Sequence, residues 1–266
     1  MTNMMFELAK VQLNTDEIAL LWLGQAGFIV RDHFGTVVVV DPYLSDCGET
    51  LKGFVRKSPK LMAAEDLKPD IYITTHQHFD HFDFDTIPIV ADCSEAKFYG
   101  PASCCHNFLK MGICSERVEM LEVNQELQFK GVKITAAFAD HGDLAPDAIG
   151  ILMEIGGVKL YFSGDTAYRP EKMMSIQDFH PDLAFLSING AFGNLNALEG
   201  AYIVRDLSLK AAIPCHFGTF IEHGGDPQAF EFHVSALAPF CQVIQLRPGE
   251  MYIYKKIILR KPGKSG

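Results

Sequence analysis

Short apolar runs rich in β-branched residues, separated by turn residues, dominate the first forty positions. Ile18 to Leu23, Phe28 to Arg31 and Thr36 to Asp41 read as strands, with Asp32-His33-Phe34-Gly35 as the hairpin turn between the last two. Ile71 to Thr75 is a further buried-strand run. Pro101 to Met111 reads as a helix, followed by strands at Val118 to Val123, Glu126 to Phe129 and Val132 to Ala139, the last two joined at Lys130-Gly131. The order then recurs: Ile149 to Ile155, a Gly156-Gly157 turn, Lys159 to Ser163, a helix from about Pro170, and Leu183 to Ser187. Ala197 to Leu207 reads as a helix, Ala211 to Cys215 as a strand, Pro227 to Leu237 as a helix, and Gln242 to Leu246 and Met251 to Lys255 as closing strands.

Hairpins and helices mix in both halves without a linker or low-complexity segment. Two mixed β-sheets packed face to face with helices outside, a four-layer α/β sandwich (αββα), follow from that order. We expect one domain over residues 1–266, and a polar tail, Lys261 to Gly266, that frays. The similar element order of the two halves suggests duplication of architecture.

Composition adds constraints. Lys plus Arg number 23 against 33 Asp plus Glu, a formal charge of -10, which opposes a broad electropositive surface and so a nucleic-acid partner. Seven cysteines, with no C-x-x-C and no secretory segment before them, fit a reducing, cytoplasmic setting. The longest apolar stretches are broken by Gly24, Gln25 and Gly27, short of a membrane span. A small-molecule substrate is therefore expected, and a homo-oligomer stays open.

The chemistry concentrates in Thr75-His76-Gln77-His78-Phe79-Asp80-His81, three imidazoles and a carboxylate within six positions directly after a buried strand. In an extended or tightly turned backbone His76 and His78 point the same way and can share one ion, while Asp80 and His81 can serve a neighbouring one. Imidazole nitrogen and carboxylate oxygen suit zinc, manganese or iron. The other reading is a solvated polar loop, for which clustered histidines have no evident purpose.

Four groups in one loop cannot complete two coordination shells. Three further candidates each follow a strand: His141 after Val132 to Ala139, Asp165 after Lys159 to Phe162, and His216 after Ala211 to Cys215. Strand C-termini are where loops carrying catalytic groups gather in α/β folds. Singly, each has a plainer reading: a loop histidine, a helix N-cap or turn carboxylate, and a hydrogen-bonded buried histidine.

His76, His78, Asp80 and His81 match the H-x-H-x-D-H motif, and the sequence resembles the metallo-β-lactamase superfamily from about Leu21 to Phe220. That resemblance implies a first metal on His76, His78 and His141, a second on Asp80, His81 and His216, and Asp165 bridging both. Trp22-Leu23-Gly24-Gln25-Ala26-Gly27, Val40-Asp41-Pro42 and Ile213 to Phe220 look most like the branch containing L-ascorbate-6-phosphate lactonase. By family expectation that lactonase is a longer chain, more carboxylate-rich around the equivalent of His141, so its manganese preference does not transfer.

Two cations sharing a water would stabilise hydroxide at neutral pH and polarise the oxygen under attack. Asp80, bound through one oxygen, could take the nucleophile's proton through the other. Asp41, ending a run of four valines, is the candidate carboxylate behind a ligating histidine, or else a turn carboxylate before Pro42. Tyr168, Arg169, Asn189 and His223, on loops near the expected ligands, are candidates for substrate contact, with His223 as a proton donor. For each a bland role exists as well: packing, a turn, or the surface.

The expected activity is hydrolysis of a small ester, foremost a phosphorylated sugar lactone. Phosphodiester hydrolysis and a non-catalytic, metal-bound ligand sensor are the alternatives. β-Lactam hydrolysis is disfavoured by the expected location and by His81 where those enzymes carry a cysteine-bearing pattern. Gly263-Lys264-Ser265 lacks the rest of a P-loop. Cys104-Cys105 and Cys215 read as small buried residues.

Overall fold

A computed structural model describes residues 3–257. In chain order, β1 (Glu17–Gly24), β2 (Gly27–Arg31), β3 (Val37–Val40), β4 (Ile71–Ile73), β5 (Lys97–Gly100) and β6 (Val118–Met120) build the first sheet. The second sheet holds β7 (Glu126–Phe129), β8 (Val132–Phe138), β9 (Ile149–Ile155), β10 (Val158–Phe162), β11 (Leu183–Ser187), β12 (Ala211–Cys215) and β13 (Gln242–Val243). β14 (Met251–Lys255) returns to pair antiparallel with β1, giving seven strands in each sheet.

Both sheets begin antiparallel and end parallel: β3 to β6 run parallel, as do β10 to β13. Their central strands are buried on both faces, which is why these read as near-continuous apolar runs rather than alternating ones. In β1, Ile18, Leu20 and Trp22 point into the core between the sheets, while Ala19, Leu21 and Leu23 face the outer layer. The facing strands meet through aromatic rings, with Phe28 of β2 centred 4.6 Å from Phe185 of β11.

The outer layers complete four. Leu8 of α1 (Met4–Lys10), Ile87 and Val90 of α3 (Thr86–Cys93), and Phe108 of α4 (Ala102–Lys110) cover the first sheet. Ile176 of α5 (Met174–Phe179), Ile203 of α6 (Ala197–Asp206) and Phe230 of α7 (Pro227–Leu237) cover the second. The expected αββα sandwich is the fold.

Local differences have local causes. α1, α3, β5 and α2 (Cys47–Lys52) lie where no element was expected; α2 has six residues and β5 four, too few to show a period. The strand expected over Gln242 to Leu246 is ordered as a ladder only at Gln242–Val243, and Val118 to Val123 only at Val118–Met120. The helix expected from Pro170 starts as a 3-10 turn, Pro170–Lys172, before α5. Cys104, Cys105 and Cys215 are buried and free, as expected. The tail from Lys261 and Gly263-Lys264-Ser265 lie outside the described residues. Among the described residues no helix is long and apolar enough to cross a membrane.

Candidate metal centre

Strand C-termini from both sheets converge on one point. β3 delivers Asp41, β4 leads into Thr75 and His76, β8 into His141, β10 into Asp165, and β12 into His216. The segment after β4 is tightened by His81 N–H and Phe82 N–H, both donating to the His78 carbonyl at 2.9 and 2.6 Å. Asp41, His216 and Gln25 hold left-handed φ of 46°, 67° and 52°, a conformation that costs non-glycine residues ~1 kcal/mol or more and that clusters where a site is over-determined.

Three ring nitrogens face one another at the first position. His76 Nε2 lies 3.0 Å and His141 Nε2 3.2 Å from His78 Nδ1. The outward nitrogens of His76 and His78 decide the tautomers of those two rings. His78 Nε2 sits 3.1 Å from the Leu144 carbonyl, which can only accept, so the proton is on Nε2 and the Nδ1 lone pair points inward. Thr75 Oγ1 donates to Asp41 Oδ2 at 2.6 Å and so accepts from His76 Nδ1 at 3.2 Å, which turns the His76 Nε2 lone pair inward as well. Lone pairs aimed at each other repel unless a cation sits among them.

A second position adjoins the first. His81 Nδ1 lies 2.8 Å from Asp41 Oδ2, and its Nε2 lies 2.9 Å from His216 Nε2. Asp80 Oδ2 is 3.3 Å from His216 Nε2. Asp165 spans the two positions: Oδ1 is 3.3 Å from both His81 and His216 Nε2, while Oδ2 is 3.7 Å from His141 Nε2. Asp165 Oδ1 is buried without a hydrogen-bond partner, an orphaned acceptor between imidazoles. The donor set therefore fits divalent cations held by nitrogen and carboxylate oxygen.

Electrostatics follow burial. Desolvation holds His76 well below the ordinary imidazole range, and lowers His78 and His141. Burial would raise the Asp80 and Asp165 carboxyls, but the His81 and His216 imidazoles beside them pull both well below the usual carboxylate range. His81 goes the other way: burial opposes its charge, yet Asp165, Asp41 and Asp80 raise it well above the ordinary value.

The family model described as a beta-lactamase superfamily domain matches residues 19–216, most of the chain. The chain belongs to the β-lactamase superfamily. Within it, the chain is 30% identical over 252 residues to a UPF0173 metal-dependent hydrolase of Cupriavidus taiwanensis, covering 87% of this chain and 85% of that one, and so belongs to that metal-dependent hydrolase group. A UPF0173 metal-dependent hydrolase of Methanobrevibacter smithii is 28% identical over 88% of this chain and 95% of its own. Among solved structures the fold resembles Igni18, a metallo hydrolase from Ignicoccus hospitalis, with TM-score 0.75, 22% identity, and 90% and 99% of the two chains covered. It also resembles an isothiocyanate hydrolase from Delia radicum gut bacteria, with TM-score 0.71, 20% identity, and 90% and 100% covered.

In this superfamily chain the structure brings together His76, His78, Asp80, His81, His141, Asp165 and His216, with Asp41 placed behind them, hydrogen-bonded to His81 and Thr75. Of the four expected substrate contacts only His223 reaches the cavity above the site. Tyr168 packs into the outer layer of the second sheet, its hydroxyl on Asp206. Arg169 pairs with Asp140 at 2.6 Å, steadying the residue before His141. Asn189 is buried beneath the Gly224-Gly225 turn and does not line the cavity; a Cβ on Gly224 would come within 2.6 Å of its carbonyl oxygen. Proximity in sequence to a ligand does not fix the direction of a side chain: Tyr168 and Arg169 point elsewhere, and Asn189 Oδ1 and Nδ2 are buried without a hydrogen-bond partner.

Gln25 was not anticipated as a site residue. It occupies the two-residue turn between β1 and β2, where its carbonyl accepts from Trp22 Nε1 at 3.0 Å and from His216 N at 2.9 Å. Its Nε2 lies 2.9 Å from Asp80 Oδ2 and 2.7 Å from His223 Nδ1. Both amide hydrogens are thereby engaged, so His223 accepts at Nδ1 and carries its proton on Nε2. Burial and the charge of His216 push His223 down to about 4, so the ring is neutral at pH 7. Asn194 Nδ2 similarly donates to Asp165 Oδ2 at 2.6 Å. The one sequence signal for Gln25 is a polar residue bracketed by glycines within an apolar run.

Proposed function

We propose that this chain is a dinuclear metal-dependent hydrolase of small esters, with lactones foremost. The carrying observation is the inward lone pairs of His76 and His78, set by partners that can only accept from their outer nitrogens. His76, His78 and His141 would hold one cation, Asp80, His81 and His216 a second, and Asp165 both. Zinc or manganese there supplies Lewis acidity and lowers the pKa of water, to ~7 for zinc.

The chain's own groups then divide the remaining work. Asp80 Oδ2 is engaged by Gln25 and faces His216, which leaves Oδ1 to accept a proton from the attacking water. As the water oxygen bonds to the acyl carbon, the ester C–O bond breaks and the leaving oxygen takes a proton, giving an alcohol and a carboxylic acid that ionises. His223, protonated on Nε2 and lining the cavity, is placed to donate a hydrogen bond to oxygen that gains charge. A cavity of about 700 Å³ suits a small molecule, as does the acidic net charge. The reading includes a cytoplasmic location. A phosphodiester is less well served, because among the described residues no arginine lines the cavity to clamp it.

Purified protein reconstituted with zinc or manganese should open lactones in a pH-stat assay, with chelation abolishing and metal restoring turnover. No turnover across a lactone and ester panel overturns the reading. Turnover of a chromogenic phosphodiester in its place selects the second enzyme class, and binding without turnover selects the sensor.

A further inference from the structure

One wall of the cavity carries chemistry that metal ligation does not explain. α2 ends at Gly53, whose φ of 78° closes the helix while Phe54 N–H donates back to the Gly48 carbonyl at 3.1 Å. That ending places Leu51, Lys52 and Phe54 on the cavity. The helix is seated firmly, for a Cβ on Gly48 would come within 2.5 Å of the Phe79 ring. Below it the buried Asp83 accepts from Leu44 N and Ser45 N, both at 2.8 Å.

Across the opening stands Phe192, held at φ 55° and 49% exposed. Its ring lies 6.1 Å from Phe54 and 5.5 Å from His223, while Phe54 lies 5.8 Å from His223. Leu51 and Leu144, also on the cavity, are each 52% exposed. Scattered apolar exposure on a surface needs no explanation, but three exposed apolar side chains around one opening, with the half-buried Phe54 between them and the reacting groups, mark a binding surface. A left-handed phenylalanine persists only where its surroundings impose it, and such strain clusters at ligand clamps.

Polar complementarity points the same way. Among the described residues Lys52 is the one lysine or arginine on the cavity, beside Leu51 and Phe54 on the α2 wall. A phosphate lodged on this wall, at the far end of the cavity from the cations that hold the ester, would shed its hydration against apolar side chains with Lys52 alone to offset the loss.

We propose that the substrate carries an apolar group of ring size or longer, seated against Leu51, Phe54, Leu144 and Phe192, and no phosphate. This rests on the ester-hydrolase reading and narrows it, replacing the phosphorylated sugar lactone with an alkyl- or aryl-substituted lactone or ester. The ester bond lies toward His223 and Asp80, and the apolar group toward the opening.

Two arms test it. In the first, metal-loaded protein is assayed on γ-lactones with side chains of zero, two, four and six carbons and on a phosphorylated sugar lactone. We expect kcat/KM to rise roughly three- to fourfold per methylene before levelling off, consistent with the transfer energy of a CH₂ group, with that slope flattened in Phe192→Ala and Phe54→Ala. In the second, N-phenyl-1-naphthylamine, a neutral fluorescent probe, is titrated onto the same proteins without substrate. Wild type should bind it and both variants should bind it at least tenfold more weakly. Lactone turnover with no slope, or faster turnover of the phosphorylated lactone, overturns the proposal and leaves the ester-hydrolase reading standing. If nothing is hydrolysed, that reading fails, and the probe decides the apolar site alone: binding weakened by Phe192→Ala sustains it, and absent binding overturns it.

Discussion

Asp41 Oδ2 lies 2.8 Å from His81 Nδ1, and both side chains are almost wholly buried. Asp41 Oδ1 also accepts from Thr75 N at 2.7 Å, so one carboxylate at the end of β3 orients a ring and pins the backbone from which the whole histidine cluster departs.

Replacing Asp41 should therefore weaken metal binding without touching a metal. Asp41→Ala is expected to cost ~10- to 100-fold in affinity for the tightest cation, read by competition with a chromophoric chelator. Affinity equal to wild type would show that His81 keeps its orientation from elsewhere.

Asp80→Ala removes the proton acceptor and one carboxylate of the second position. Turnover should fall by ~10²- to 10⁴-fold, with a cooperative thermal transition retained in circular dichroism. Unchanged turnover would remove Asp80 from the chemistry.

Gln25→Ala leaves every expected ligand in place but releases Asp80 Oδ2 and the His223 tautomer. Hydrogen bonds to charged groups are worth ~1.5 to 3 kcal/mol, so kcat should drop roughly tenfold to a hundredfold while metal content holds. Loss of metal alongside kcat would instead assign Gln25 to the fold of the site.

How much of this the residues announced depends on the scale of the signal. The β1, β8 and β12 runs are apolar and bounded by turn residues, and the fold followed from them; α2, six residues capped by Gly53, is less than two helical turns and carries no such run, and with it the apolar wall of the cavity went unread. The seven grouped side chains were legible because their residue types are those that ligate metals and the loops that carry them all leave strand C-termini. Tyr168 and Arg169 follow a loop, where direction is not fixed by the sheet, and their partners Asp206 and Asp140 are visible only in three dimensions. Gln25 was hidden because its neighbours in space, Asp80 and His223, lie 55 and 198 residues away.

Acid should unfold the metal-free protein early. His76, His78 and His141 sit below the ordinary value in the folded state, chiefly through burial, but titrate near 6.5 when unfolded. Below pH 6.5 the unfolded chain binds more protons, so stability falls as pH drops; Asp80 and Asp165, with lowered carboxyls, act with the same sign at lower pH. His81, raised above its unfolded value, opposes them: its contribution is full below pH 6.5 and is lost as pH rises through its folded value. Melting temperature in chelator should decline from pH 8 to pH 5, and a flat or rising profile would contradict the burial account.

Phe185 joins the two sheets through Phe28, 4.6 Å away, and stacks on Phe162 of the neighbouring strand in its own sheet, 4.1 Å away. Phe185→Ala should cost ~3 to 5 kcal/mol, measured by urea denaturation. A loss below ~1 kcal/mol would mean the sheets do not meet there.

The account stands on seven side chains holding two cations, and a crystal structure of metal-loaded protein with anomalous data at the metal edges measures this directly. Two anomalous peaks per chain are predicted, one among His76 Nε2, His78 Nδ1 and His141 Nε2 and one among Asp80, His81 Nε2 and His216 Nε2, with Asp165 between them. A single peak, or peaks away from these atoms, would contradict it.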